Sequence, residues 1–336
     1  MSTLAPQRRS STPGKSKLHS ASPAGPHPQR ALPRVGRRVA TMLLLMVLAL
    51  SLLISVPSLR PVLSTIRHID AGWLAVAIAL ELASCLSFVV LFRLFFDRLA
   101  PRTARAVAWT EMGSGALLPG GGAGGLAIGG WLMHLAGVPT SWIVRRSGGL
   151  FFLTTAVNSA TLIAAGLMLG VSGSHAFALT ILPALLATVA TLLVAALPRV
   201  LRFRSHPARW LAGVSAWVAD AETTTFGHPS WRLVGALGYL GFDMAVLWVT
   251  LRSVGEPVSV PALVLAYNIG YLANALPIPG GIGVLDAGLA GALLLYGAAP
   301  AHVAAAVLVY HTIALWIPGL GGTLAYVRVR ARLTGN

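Results

Sequence analysis

The sequence predicts an all-α integral membrane protein with about six spanning helices and two re-entrant hairpins broken by Gly and Pro, arranged as inverted repeats. Three observations carry that prediction. Hydrophobic residues make up 56% of the 336 and charged residues only 10%, which leaves too little polar surface to cover a water-soluble fold. Several apolar runs reach the length of about 20 residues that a helix needs to cross a bilayer. The chain also repeats itself. Leu118-Pro119-Gly120-Gly121 opens an apolar run that ends at Gly137, Ile278-Pro279-Gly280-Gly281 opens another that ends at Gly297, and the two lie 160 residues apart. Hydrophobic segments interrupted by Gly and Pro at corresponding places in two halves point to a transport site near the bilayer midplane.

Taken in order, residues 1–38 hold eight of the 25 Lys and Arg, no acid, and much Ser and Pro, and are expected to form a disordered basic cytoplasmic tail. The run from Ala40 to Leu59 is long enough to span and has no clear cleavage site, so it reads as a retained first helix rather than a secretory signal. Further spans are expected at 72–96, 149–170, 176–197, 233–251 and 302–327, with the broken stretches at 106–137 and 259–297. The polytopic membrane domain then covers 39–330, with repeat 1 at about 72–197, a linker at about 199–226 and repeat 2 at about 233–327. In the linker, Trp210, Val214, Trp217 and Val218 recur at helical spacing against Arg209, Ser215, Asp220 and Glu222, as in an interfacial amphipathic helix. Asp220-Ala221-Glu222 faintly echoes the paired acids that hold a metal in sugar-nucleotide transferases, but the wet face of that helix is the simpler reading.

Charge sets the orientation. If each broken stretch returns to its own side, 22 of the 25 basic residues share one face and only Arg60, Arg67 and Arg252 fall on the other. The positive-inside rule makes the basic face cytoplasmic, with both termini there, in the inner (plasma) membrane. A single crossing by the first broken stretch would move Arg145 and Arg146 outside and invert everything downstream. The net charge of +16 therefore reflects membrane orientation, and no nucleic-acid partner is expected. The first hairpin enters from the cytoplasm and the second from outside. Because 259–277 is nearly long enough to span by itself, the second broken segment stays open between a re-entrant and a spanning path.

Backbone without helical hydrogen bonds persists at membrane depth only where protein or a watery cavity satisfies it. Gly120, Gly121, Gly122, Gly124 and Gly125, and in the second repeat Gly280, Gly281 and Gly283, can turn free amides toward a phosphate at a helix N-terminus, or can simply permit close helix packing. Both readings stay open. Acids within or near apolar runs are costly and are functional candidates for that reason: Glu81, Glu111, Asp243 and Asp286, the last also suited to a helix dipole. Arg145, Arg146 and His311 are the cationic candidates. The two arginines fit equally as topology determinants, and His311 as a packed neutral ring. His311 follows the second hairpin directly and is the expected partner of Asp286. The single cysteine, Cys85, excludes an intramolecular disulfide and a thiolate cluster. With no H-E-x-x-H, P-loop or G-x-S-x-G, no catalytic residue, metal site or cofactor is predicted, and the chain is expected not to be an enzyme.

Pro279-Gly280-Gly281-Ile282-Gly283-Val284-Leu285-Asp286-Ala287-Gly288-Leu289, then Gly297, then Ala304-Ala305-Ala306-Val307-Leu308-Val309-Tyr310-His311, resembles the flippase-like transmembrane domain of lysylphosphatidylglycerol synthases. The likeness covers roughly residues 40–330. It implies a module that moves lipids, aminoacylated phospholipids and lipid-linked sugars among them, between leaflets. The family pattern usually has Glu where this chain has Asp286 and Arg where it has His311. The chain ends at Asn336, so it is expected to lack the soluble aminoacyl-transferase domain and not to make lysyl-lipid.

The leading expectation is translocation of a phospholipid or lipid-linked headgroup. The glycine amides would contact phosphate, Arg145 or Arg146 would add attraction, and Glu111, Asp243, Asp286 and His311 would set headgroup preference or proton coupling. Two other readings differ in class. A secondary transporter would accumulate a small solute without lipid movement, and a noncatalytic membrane partner would act only beside a lipid-modifying enzyme.

Overall fold

The computed structural model of the chain describes residues 60–118, 122–173, 176–203, 208–227, 230–272 and 284–333. The expected basic tail, the first span at 40–59, and Gly120, Gly121, Gly280, Gly281 and Gly283 lie outside the described residues. Among the described residues there are eleven α-helices and no strand. They are α1 (Arg60–Arg67), α2 (Ala71–Phe95), α3 (Pro101–Leu117), α4 (Gly122–Leu135), α5 (Thr140–Val171), α6 (Ile181–Leu201), α7 (Arg209–Glu222), α8 (Val234–Ser253), α9 (Val260–Leu272), α10 (Val284–Leu295) and α11 (Pro300–Leu333). The protein is an all-α membrane protein. Five of these helices, α2, α5, α6, α8 and α11, are long and apolar enough to cross a bilayer. Along its most apolar stretch α6 has only 6% of its residues buried, leaving Leu185, Leu186, Leu192 and Leu193 exposed in a band that hydrocarbon, not water, accommodates.

Local chemistry sets the helix ends. The Asp70 carboxylate accepts a 2.6 Å hydrogen bond from the Gly72 amide ahead of α2, and Pro101 starts α3, where its missing N–H costs nothing. The closing glycines of the two repeats do the same job. Gly137 and Gly297 have φ of 82° and 88°, and the next residue donates back over each helix end, Val138 to the Met133 carbonyl at 3.1 Å and Ala298 to the Leu293 carbonyl at 3.3 Å. This left-handed cap excludes a β-carbon without strain, which explains why both repeats end on glycine.

The duplication extends to whole helices. Helices α2 to α5 start at Ala71, Pro101, Gly122 and Thr140, and their counterparts follow about 160 residues later, α8 after a short 3₁₀ turn from Trp231 and then α9, α10 and α11 at Val260, Val284 and Pro300. The equivalent helices α2 and α8 pack against each other in opposite directions. Gly235 lies against the Ser87 carbonyl and Leu91 amide, Gly238 against the Ser87 side chain, and Ser84 Oγ donates to the Tyr239 carbonyl at 2.8 Å. Antiparallel mates mean that the two four-helix units are inverted relative to each other.

Each unit contains a helical hairpin. In the first, Gly125 of α4 meets the Glu111 carbonyl and Gly115 amide of α3, and in the second Gly270 of α9 meets the Leu289 backbone of α10. The α3–α4 hairpin opens where α2 ends, the α9–α10 hairpin opens where α8 ends, and the two open ends therefore lie at opposite ends of the molecule. At 1.5 Å per residue, the 17 residues of α3 and 14 of α4 reach only about 26 and 21 Å, less than the bilayer core of about 30 Å. The octapeptide helix α1 and the extension of α5 back to Thr140 were not anticipated. Within the linker expected at about 199–226 the chain forms α7, packed on α5 and α6.

Candidate functional site

Where the two hairpins face the α2–α8 pair, the helices enclose a cavity of about 730 Å³. Glu81 from α2, Glu111 from α3 and Asp243 from α8 reach it, and among the described residues its lining includes no Lys or Arg. Tyr239, Tyr271, Tyr310 and His311 supply further polar atoms, and Gly122 forms part of the wall.

Asp243 is the most elaborately held of these groups. It accepts a short hydrogen bond from Tyr267, one of 3.3 Å from Tyr271 and one of 3.1 Å from Tyr310. Tyr267 and Tyr271, four residues apart on α9, stack with ring centroids 4.4 Å apart, so one helix face delivers both hydroxyls. Glu81, by contrast, has one contact, a 3.7 Å thiol donation from Cys85 one turn along α2, and its Oε2 has no hydrogen-bond partner among the described residues. Cys85 therefore touches a carboxyl group rather than filling apolar space alone. Glu111 is similarly unsatisfied. Its Oε2 is buried with no hydrogen-bond partner among the described residues, close enough to Gly129 that a methyl group there would strike it.

The second hairpin contributes an ion pair. Asp286, in the first turn of α10, lies 2.9 Å from His311 Nδ1, the pairing that the order of these elements led us to expect. His311 lines the cavity, and its Nε2 is buried with no hydrogen-bond partner among the described residues.

Arg145 and Arg146 turn elsewhere. They contact Asp220 of α7 at 3.5 and 3.4 Å, and Arg146 also donates to Thr224 at 2.9 Å and lies over the Trp142 ring. Burial pushes the Asp220 carboxyl above its usual range, and the two guanidinium groups oppose that shift. The arrangement clamps α7 onto the start of α5, where Gly148 leaves room for the Trp217 ring. Asp220→Ala is expected to cost on the order of 1–3 kcal/mol, less than a fully enclosed pair because Arg145 is half exposed, and thermal unfolding of the purified variant measures it. Of the glycines expected to bind phosphate, Gly122 lines the cavity, Gly125 is spent on packing against α3, and Gly124 lies within α4.

A second, apolar groove of about 670 Å³ runs beside the cavity, between α4 and α5 and under Trp217. The two share Leu126, Ser147 and Phe151 as a common wall. The tyrosines around Asp243 were missed from the sequence. The available signal was the i, i+4 pair Tyr267 and Tyr271 in an otherwise apolar helix, in a chain with only six tyrosines.

Residues 39–322 match the family model of the lysylphosphatidylglycerol synthase TM region. No curated protein matches the chain.

Proposed function

We propose that this chain, which belongs to the family of the lysylphosphatidylglycerol synthase transmembrane region, moves a lipid between the two leaflets of its membrane. The supporting observation is the shared wall of Leu126, Ser147 and Phe151 between a cavity bearing three carboxyl groups and a groove with almost no polar atoms. A headgroup needs polar partners and acyl chains need hydrocarbon, so an amphiphile fits the pair of spaces where a small solute would use only the first. Glu111 and His311, which line the cavity, contact the headgroup, and Asp286 holds the His311 ring through Nδ1. In this reading both hairpins, α3–α4 and α9–α10, follow re-entrant paths. Both termini are cytoplasmic in the plasma membrane, a reading supported by the 22 of 25 basic residues gathered on that face. The chain acts as a carrier and not as an enzyme.

The test is a leaflet-resolved assay with the full chain in liposomes of phosphatidylethanolamine and phosphatidylglycerol carrying trace fluorescent versions of each. A membrane-impermeant quencher reports how much label reaches the outer leaflet. Protein-dependent movement is expected, and none in any lipid mixture would discard the reading. Asp286→Asn should fold, since Asn also caps a helix, but should move label on the order of tenfold more slowly because the charge facing His311 is gone. Full speed in a stably folded Asp286→Asn protein would remove that residue from the site.

A further inference from the structure

We propose that Glu81 is a proton carrier and that the proton gradient drives lipid movement through the cavity. This inference rests on the lipid-moving reading and adds its energy source. Glu81 and Asp243 sit in one cavity wall, just beyond the Ser84–Tyr239 hydrogen bond that fixes the register of α2 against α8. Two carboxylates facing one space resist being ionised together while water and cations are kept from it, and among the described residues no Lys or Arg lines that space.

The groups around the pair decide which oxygen holds the proton. Three phenol hydroxyls converge on Asp243, from Tyr267 and Tyr271 on α9 and from Tyr310 on α11, and donors of that kind favour the charged form. Glu81 has only a weak thiol donor and a partnerless Oε2, so the proton sits on Glu81. Among the described residues, the other titratable groups facing it include no lysine or arginine. Helix α3 brings the acid Glu111, α8 brings Tyr239, and α11 brings His311, already committed to Asp286. The arginines of α5 are held by Asp220.

Because Glu81 lines the cavity, its O–H can break toward whichever aqueous side the cavity faces, the proton passing to water and leaving a carboxylate that is reprotonated from the opposite side. A cavity holding one carboxylate and one holding two differ in their attraction for a headgroup, which couples the proton step to the lipid step. A metal cation is the less suited occupant, since no group of three or more His, Cys, Asp or Glu among the described residues has the geometry to hold one.

The experiment follows the final inner-to-outer ratio of fluorescent phosphatidylethanolamine or phosphatidylglycerol in liposomes containing the full chain, with a one-unit pH gradient, a matched sodium gradient, or neither. With one proton per lipid, the pH gradient should shift the wild-type ratio about tenfold. The sodium gradient should shift nothing. Glu81→Gln should give a ratio indifferent to pH, and Glu81→Asp, which keeps the carboxyl group, should restore the shift. Label that equilibrates through the wild type with no response to pH, or that follows sodium, overturns the proposal and leaves lipid movement standing. No movement at all would fell the lipid-moving reading and this proposal with it.

Discussion

Asp243→Asn is expected to lower the stability of the folded chain by roughly 3–5 kcal/mol and to halt lipid movement. The carboxylate accepts from Tyr267, Tyr271 and Tyr310, of which Tyr267 and Tyr310 are each only 1% exposed. Asparagine offers one acceptor oxygen, and its amide nitrogen turns two donors toward phenol donors. At least one of the three phenols then loses its carboxylate acceptor, and a buried donor left without one costs about 1–3 kcal/mol. The loss also loosens the junction of α8, α9 and α11, which forms one side of the cavity.

A double-mutant comparison makes the argument sharper. Tyr310→Phe removes one of the three donors, so Asp243→Asn should cost less in that background than in the wild type. Chemical unfolding of the purified variants in detergent measures both. A cost for Asp243→Asn within about 1 kcal/mol of zero, or equal costs in the two backgrounds, would mean that the hydroxyls do not converge on this carboxylate.

Features that depend on one stretch of chain were legible in the sequence. The matched Gly137 and Gly297 could be read because a left-handed helix cap is a local event that only glycine meets without strain. The amphipathic pattern of Trp210, Val214, Trp217 and Val218 announced α7 for the same reason. The Asp286–His311 pair was within reach because one short connection joins α10 to α11. What could not be read was register between distant helices. That Glu81 shares a wall with Asp243 follows from how α2 slides against α8, which small residues at Gly235 and Gly238 set and no spacing encodes.

Arg145 and Arg146 show the opposite difficulty. As charges beside an apolar run they suited phosphate attraction and membrane topology alike, and only the position of α7 shows that Asp220 holds them. The acidic character of the cavity follows from that choice. A chain with 25 basic residues and nine acids brings three of its few acids to one interior space, where no described Lys or Arg meets them.

Gly113→Leu is expected to destabilise the fold by about 3 kcal/mol or more and to alter the cavity, although Gly113 does not line it. The residue lies where α3 crosses α11. A β-carbon there would stand 2.5 Å from the Pro318 carbonyl oxygen and 2.7 Å from Gly322 Cα, and one on Gly322 would stand 2.6 Å from Gly113 Cα. All of these neighbours are backbone, so no side chain can swing away and the helices themselves must part. The seam extends in both directions, with the Trp109 ring over Gly321 and Leu117 against Gly319, and parting it at Gly113 unseats those contacts as well. Glu111 is carried on the same helix, so its orphaned oxygen would shift relative to Asp243 and His311. Lipid movement should fall together with stability. Gly291→Ala is the control, because a β-carbon there meets nothing within 4 Å and alanine favours the helix. Thermal unfolding of the two purified variants should separate them clearly, and a Gly113→Leu protein as stable as the control would show that α3 and α11 do not touch through their backbones.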